Sequence, residues 1–366
     1  MSAGIELGKL LDATRVERLR RAGALVLDVD DTLLARERAA AVGDSVRAGG
    51  EETFEESAAA MLLPELLRRG FRVGLITGHG WRQLERRLVA PVVERLREAH
   101  EAGASIARLS VYANRGATKI VWDGERHAVD AVYGERHQLR VEDTATLRGL
   151  LESLGAEFDA EVRARREWYA ASFPRFDFAT LPPRVDEREG AVLVLRPIPA
   201  RRHAVAGVSL NPRAEVYARG LELLRRANLD AAYELAESGR SSIEITRRGV
   251  SKETALGDLL AEASKMSEAA AGASGETVSG ETARGEAEAC TESALVYVGD
   301  EFEAGGNDAV IPQVFPRALC LSVAPGSDRG EPVGTVVSLA RAAELGGAQG
   351  TAATHALLTH LLNLSA

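Results

Sequence analysis

Three short aliphatic runs in this chain each stop at an acidic or small polar residue. Ala24-Leu25-Val26-Leu27 runs into Asp28, the stretch Phe71 to Ile76 into Thr77-Gly78, and Ala294-Leu295-Val296-Tyr297-Val298 into Gly299-Asp300. Runs this short and this apolar read as strands buried on both faces, and such strands belong to parallel sheets covered by helices. Helical spacing occurs where the covering helices are needed, over residues 11–22, from Met61 to Arg69 with a stop at Gly70, and from about Trp81 to Ala102. A further short strand is expected near Ala318–Val323, followed by one or two helices. The fold class expected is α/β, with a Rossmann-like parallel-sheet core. Open sheets of this kind place ligand sites at the carboxyl ends of their strands.

Between these landmarks the pattern changes twice. Residues 36–60 are polar and Ala/Glu-rich and read as a loop-helix insertion. Residues 106–133 read as strand pieces with turns at Asn114-Arg115-Gly116 and Asp123-Gly124. From about 134 to 248, helical stretches at 142–156 and 211–227 alternate with the strand-like runs Ala191–Leu195 and Ser242–Thr246. This is an α+β insert large enough to be its own domain. Residues 261–293 are low-complexity Ala, Glu, Gly, Ser and Thr and read as a flexible insertion. The expected organisation is a discontinuous core, 1–133 with 249–366, carrying an α+β cap domain at 134–248. No internal repeat is present.

The 366 residues carry a formal net charge of −9, which argues against a nucleic-acid partner and means that an anionic substrate needs a metal or a local basic pocket. The two cysteines, Cys290 and Cys320, have no metal-ligand spacing and suggest a reducing compartment without disulfides. The N-terminus lacks an apolar signal-type core, and no apolar stretch approaches the ~20 residues of a membrane helix. A cytoplasmic protein without a membrane partner is expected. Lysine occurs only at Lys9, Lys119, Lys252 and Lys265, so each one warrants inspection.

Asp28 and Asp30 stand two residues apart at the end of a buried run, with Asp31 beside them. Carboxylates this close repel unless a cation or a shared proton relieves them. The arrangement suits covalent phosphoryl transfer, in which one carboxylate attacks phosphorus, its neighbour moves the proton and a divalent cation screens the charge. A merely charged turn is the competing reading. Thr77-Gly78 taken alone is explained as well by capping or turn formation, and Asp300 alone by a turn. Lys252 lies in Gly249-Val250-Ser251-Lys252, a turn entering a helix with Ser251 as N-cap. A cation in the first helical turn opposes the macrodipole, so a lysine aimed at bound phosphate explains the position better than a solvated one. The segment from Gly299 to Asp308 then offers a tip carboxylate, glycines and Asn307-Asp308. Asp28, Asp30 and Asp300 form an oxygen set of the size magnesium takes.

The order of these motifs resembles the haloacid dehalogenase superfamily of phosphatases and phosphomutases. The resemblance rests on DVDDTLL at 28–34, LITG at 75–78, GVSK at 249–252 and GDEFEAGGND at 299–308. The wide gap between Thr77 and Lys252 is similar to the sugar-phosphatase branch with a large α+β cap, and the GGND spacing is similar to phosphomannomutases. The resemblance implies Asp28 as the nucleophile, Asp30 as general acid and then base, and Lys252 as the cation that neutralises the phosphoryl group and orients Asp28. It implies Thr77, Gly78 and Asn307 at the substrate. It implies Mg2+ held by Asp28, by Asp30 through its carbonyl, by Asp300 and with support from Asp308. The activity implied is magnesium-dependent hydrolysis of a small phosphorylated metabolite, such as a sugar phosphate, through an aspartyl phosphate. A phosphomannomutase-type phosphomutase and a non-catalytic phospholigand-binding module stand as alternatives; Asp30 argues against a dehalogenase. Three features depart from the family pattern: Asp31 stands where glycine is more usual, Asn114-Arg115-Gly116 is one residue longer than the usual Asn-Gly, and 261–293 separates two motifs. Arg196, Arg201, Arg202 and His203 are either a grip for the far end of a sugar phosphate or a solvated basic face, and His79 and Arg82 are equally open.

Overall fold

The computed structural model describes residues 7–35, 52–99, 102–174, 176–199, 211–238, 241–273, 292–303, 306–324, 336–341 and 348–365. The chain forms two compact units, Met1–Val129 with Ser251–Ala366, and Asp130–Val250. The sequence pattern places these boundaries at 133/134 and 248/249. The helix Ala131–His137, where strand was expected, falls in the second unit.

The strands among the described residues are β1 (Ala24–Asp28), β2 (Val73–Ile76), β3 (Leu109–Ala113), β4 (Thr118–Trp122), β5 (His127–Val129), β6 (Arg184–Arg188), β7 (Val192–Arg196), β8 (Tyr233–Ser238), β9 (Ser242–Arg247), β10 (Leu295–Gly299), β11 (Leu319–Ser322) and β12 (Val336–Ser338). The first unit is built on one sheet in the order β12-β11-β10-β1-β2-β3-β4-β5. From β12 to β3 the neighbours run parallel, and β4 and β5 close that edge antiparallel. Every residue of β1, β2 and β10 is buried, as their unbroken apolar runs require. Their cover includes Val16 and Leu19 of the helix Ala13–Ala22, Leu63, Leu66 and Leu67 of Leu63–Arg68, and Leu357, Leu358 and Leu361 of Gly350–Leu364. The chain order along the sheet reverses at β1, which has β10 on one side and β2 on the other. Crevices at the carboxyl end of such a reversal are where open α/β sheets bind ligands.

The helix expected over 81–102 is broken. Trp81–Leu84 passes into a π-helical turn at Glu85–Val89, then Ala90–Glu98 resumes as α-helix, and Ala102–Ile106 is separate. Pro91 supplies the reason, because it lacks an N–H and its ring crowds the carbonyl one turn back, which favours a widened turn just upstream. The expected insertion at 36–60 is described only from residue 52, where Phe54–Glu56 and Ala60–Leu62 form single 3₁₀ turns; 36–51 lie outside the described residues. The expected flexible segment at 261–293 begins inside a helix, Lys252–Ala273. Its alanines and glutamates are strong helix formers, so low complexity there extends the helix. Residues 274–291 lie outside the described residues.

The second unit carries an antiparallel sheet, β6-β7-β9-β8. Its core joins Leu147, Leu151 and Leu154 of the helix Val141–Ala164 and Leu224 of Pro212–Arg226 to Leu193, Leu195, Ile243 and Ile245 of the sheet. The first helix runs well past the expected end at 156, through Gly155, since no glycine or proline follows between Ala156 and Ala164. Edge strands β6 and β8 escape the sequence pattern because they carry charged residues, a usual guard against edge-to-edge pairing.

Candidate active site

Strand register gathers the motifs. Leu27 lies beside Val298 on β10, and Asp28 beside Ile76 on β2. The three strands therefore end level, and Asp28, Thr77 and Asp300 leave the sheet at one rim. Lys252 joins them from the first turn of its helix, which Ser251 caps by accepting the Thr254 N–H at 3.3 Å. Gly74 lets that helix lie against β2, since a Cβ there would strike Leu259. Asp28, Asp30, Thr77, Lys252, Asp300 and Asp308 are all buried.

The centre of the site is a buried cation between two carboxylates. Lys252 Nζ lies 3.1 Å from Asp28 Oδ1 and 2.7 Å from Asp308 Oδ1. Asp308 Oδ1 also accepts from the Tyr297 hydroxyl at 2.6 Å, while Oδ2 accepts the backbone N–H groups of Asp300 (3.1 Å) and Glu301 (3.0 Å). Burial pushes the Asp308 carboxyl up, but Lys252, Tyr297 and the Glu301 N–H outweigh it and hold it below its ordinary value. Burial acts on Asp28 with less compensation. Lys252 pulls it down, Asp308, Asp300 and Asp30 push it up, and its carboxyl stands well above the ordinary range. Burial alone would discharge Lys252, yet Asp28 and Asp308 hold it charged, well above the normal lysine value. Oxygens of Asp28, Asp300 and Asp308 all lie within 4.8 Å of one another. Such a hard, oxygen-only set suits magnesium.

Asp30 turns elsewhere. Its Oδ2 accepts from Thr77 Oγ1 at 3.3 Å and its Oδ1 lies 2.7 Å from His79 Nε2. The strand ends at Asp28, and Leu33 and Leu34 both donate to the Val29 carbonyl, so the chain curls from Val29 onward with Asp30 inside the curl. Asp31 sits in that curl at φ +55°, a left-handed conformation that glycine adopts freely and aspartate tolerates. The longer Asn114-Arg115-Gly116 turn binds the next loop. Asn114 N–H donates to the His79 carbonyl (2.7 Å) and Arg115 N–H to the Thr77 carbonyl (2.8 Å). Gly116, at φ +95°, meets the Ser251 carbonyl where any Cβ would collide. This turn thus braces both the Thr77 loop and the start of the Lys252 helix.

The residues expected at the substrate are engaged within the protein. Thr77 Oγ1 accepts the His79 N–H at 3.0 Å besides donating to Asp30, and Asn307 Nδ2 donates to Glu301 Oε2 at 2.9 Å. Gly78 leaves open room beside Arg115. Arg82 is exposed. In the second unit Arg196 is paired with Asp186 at 2.7 Å; Arg201, Arg202 and His203 lie outside the described residues. Sequence reasoning missed Tyr297, which looked like one more strand residue, and left open His79, whose partner is 49 positions away only through the fold. Among the described residues no helix is long and apolar enough to cross a membrane.

No family model matches the chain, and no curated protein sequence matches it. Among solved structures, an IMP-bound, N-terminally truncated IMP-nucleotidase of Plasmodium falciparum is similar at 13% identity and TM-score 0.48, covering 97% of this chain and 72% of that one. Trehalose-6-phosphate phosphatase of Aspergillus fumigatus is similar at 12% identity and TM-score 0.48, covering 96% and 98%. A trehalose-6-phosphate phosphatase related protein is similar at 14% identity and TM-score 0.42, covering 93% and 98%. The functional reading therefore rests on the site's own residues.

Proposed function

We propose that this chain is a cytoplasmic, magnesium-dependent phosphomonoester hydrolase of the haloacid dehalogenase type, acting on a small phosphorylated metabolite such as a sugar phosphate. The observation that carries the reading is the division of labour between the two neighbouring aspartates. Asp28 faces Lys252 and the acidic cluster, while Asp30 faces Thr77 and His79. In this reading one carboxylate serves as the nucleophile and the other as the proton carrier.

An Asp28 oxygen attacks phosphorus, and the bond from phosphorus to the ester oxygen breaks. Asp30 gives its proton to that departing oxygen. Asp30 then takes a proton from water, whose oxygen attacks the aspartyl phosphate and releases phosphate with Asp28 restored. Lys252 lies where it neutralises charge gathered near Asp28. Asp28 and Asp300 carboxylates and the Asp30 carbonyl would hold the magnesium ion, which when bound screens phosphate charge. Asp308 gives four acceptor contacts to the protein, so its part is to fix Lys252 and the Asp300 backbone.

The test is phosphate release from a panel of sugar phosphates and an aryl phosphate, with magnesium and with chelator, beside Asp28→Asn. Release that needs magnesium and vanishes in Asp28→Asn is expected. Full activity in Asp28→Asn refutes the assignment. Interconversion of hexose 1- and 6-phosphates without phosphate release would favour the mutase, and binding without turnover the non-catalytic module.

A further inference from the structure

Asp30 has a side-chain partner that the proposed chemistry does not require. His79 Nε2 lies 2.7 Å from Asp30 Oδ1, a short charge-assisted contact, whereas the Thr77 hydroxyl reaches Oδ2 at 3.3 Å. Both ring nitrogens of His79 and its backbone have partners. Its Nδ1 lies 3.0 Å from Gln83 Oε1, its backbone N–H donates to Thr77 Oγ1, and its carbonyl accepts the Asn114 N–H. Gln83 comes from the single α-turn Trp81–Leu84, which follows at once. The loop that carries the imidazole is thus fixed to β3 through Asn114, and the ring itself is held by Asp30 and Gln83. A carboxylate at a strand tip otherwise has a free terminal torsion, and a proton carrier works only if its lone pair or proton lies within about 2.6–3.2 Å of the reacting oxygen.

We infer that His79 is a positioning residue for Asp30: it donates through Nε2–H to Oδ1 and sets the plane of the carboxyl group that serves the departing oxygen. The inference rests on the hydrolase reading and deepens it. His79 is about a quarter exposed at its side chain (23%), so its truncation leaves the buried core untouched.

A proton carrier matters in proportion to how badly the leaving oxygen needs a proton. The ratio kcat/KM reports the steps through phosphoryl transfer to Asp28, and so isolates the acid role of Asp30 from its later base role. It should be measured for an alkyl phosphate and for 4-nitrophenyl phosphate in wild type, His79→Ala, His79→Gln and Asp30→Asn. In His79→Ala the alkyl ester should lose about 10- to 100-fold, part of the 10²–10⁴ that acid-base help supplies. The aryl ester, whose phenolate leaves without a proton, should lose less than about 3-fold. Asp30→Asn should show the same selectivity, larger. His79→Gln, which keeps an N–H donor at the same depth, should recover most of the alkyl-ester rate. Equal losses on both esters, or a glutamine variant no better than alanine, with wild type active, overturn the positioning role and leave the hydrolase reading standing. A wild-type protein that cleaves neither ester overturns both.

Discussion

Replacing Lys252 by methionine removes the one charge that lets Asp28 and Asp308 share a buried site. Methionine keeps most of the stem, so packing changes little and the loss is electrostatic. Oxygens of the two aspartates lie within 4.8 Å of each other, and at that distance an effective dielectric near 20 gives a repulsion of about 3.5 kcal/mol. Breaking buried ion pairs by deleting one partner costs a similar amount, about 3–5 kcal/mol. The protein has one escape, which is to bind a proton on Asp28, already held high by burial. From an unfolded value near 3.9, that proton costs about 4 kcal/mol at pH 7, which caps the loss. Lys252→Met is therefore expected to lose about 3–4 kcal/mol at pH 7.

The sign of the pH effect follows. In the variant the folded carboxyl pKa is raised, so folding takes up a proton, and stability returns as pH falls from neutral toward about 4, by up to about 1.4 kcal/mol per unit. Lys252 in the wild type has a raised pKa, so its contribution is complete throughout this window and fades only in strong alkali. Asp308 has a lowered one, so its contribution is present above about 3.9 and fades only in stronger acid. Wild-type Asp28 is also held above its ordinary value, but by less because Lys252 opposes the rise. The variant therefore gains more on acidification, and the difference should shrink as pH falls from 7 toward 5. Urea unfolding followed by tryptophan fluorescence measures it. Trp81 and Trp122 report the first unit and Trp168 the second, so a Trp168→Phe background isolates the unit that holds the site. A loss below about 1 kcal/mol at pH 7, or one unchanged at pH 5, would refute the reasoning, because that is the range of an exposed pair.

Lys119 offers the contrast. It is as buried as Lys252 and pairs with Asp258 at 2.6 Å and Glu262 at 2.5 Å, but those carboxylates are 33% and 41% exposed and can return to water. Lys119→Met should cost only about 1–2 kcal/mol by urea unfolding, between the exposed and the buried case. Tyr297→Phe removes a hydroxyl bonded to ionised Asp308, and should cost about 1.5–3 kcal/mol in the same assay while phosphate release falls less than in Lys252→Met. Gly299→Ala would drive its Cβ into the Asp308 carboxylate. Overpacking there should cost about 1–3 kcal/mol by unfolding, and phosphate release should fall further than in Tyr297→Phe because Lys252 loses its anchor.

The parallel core was legible because burial on both faces leaves a plain mark, a short run made almost wholly of apolar residues. Asp28, Thr77 and Asp300 were legible for the same reason, each being the first polar residue after such a run. Where one face or edge meets water the mark fades, and β6 and β8, with their charged residues, left no pattern to read. The break at Glu85–Val89 was visible in principle as Pro91, but helical spacing on either side masked it. Over 261–273 the low-complexity stretch pointed away from the helix found there, since its alanines and glutamates propagate a helix already started at Lys252.

Spacing also says which groups share a strand tip without saying which way they face. Two residues apart on a continuing strand, Asp28 and Asp30 would lie on one face and repel as a pair. The strand instead stops at Asp28, and the turn that Leu33 and Leu34 close on the Val29 carbonyl carries Asp30 out of the strand's line. That half-turn delivers one carboxylate to Lys252 and the other to His79, partners 224 and 49 positions away whose approach only the sheet order sets up. The consequence is chemical. A pair facing one cation would share its charge and one proton between them, with neither group free to act alone. Set apart by the turn, Asp28 meets a fixed cation and Asp30 a neighbouring imidazole, so each carboxyl group has its own partner. In the proposed chemistry attack and proton transfer use that separation, and it arises where the strand stops at Asp28 and the turn from Val29 begins, a turn that continues through the left-handed Asp31.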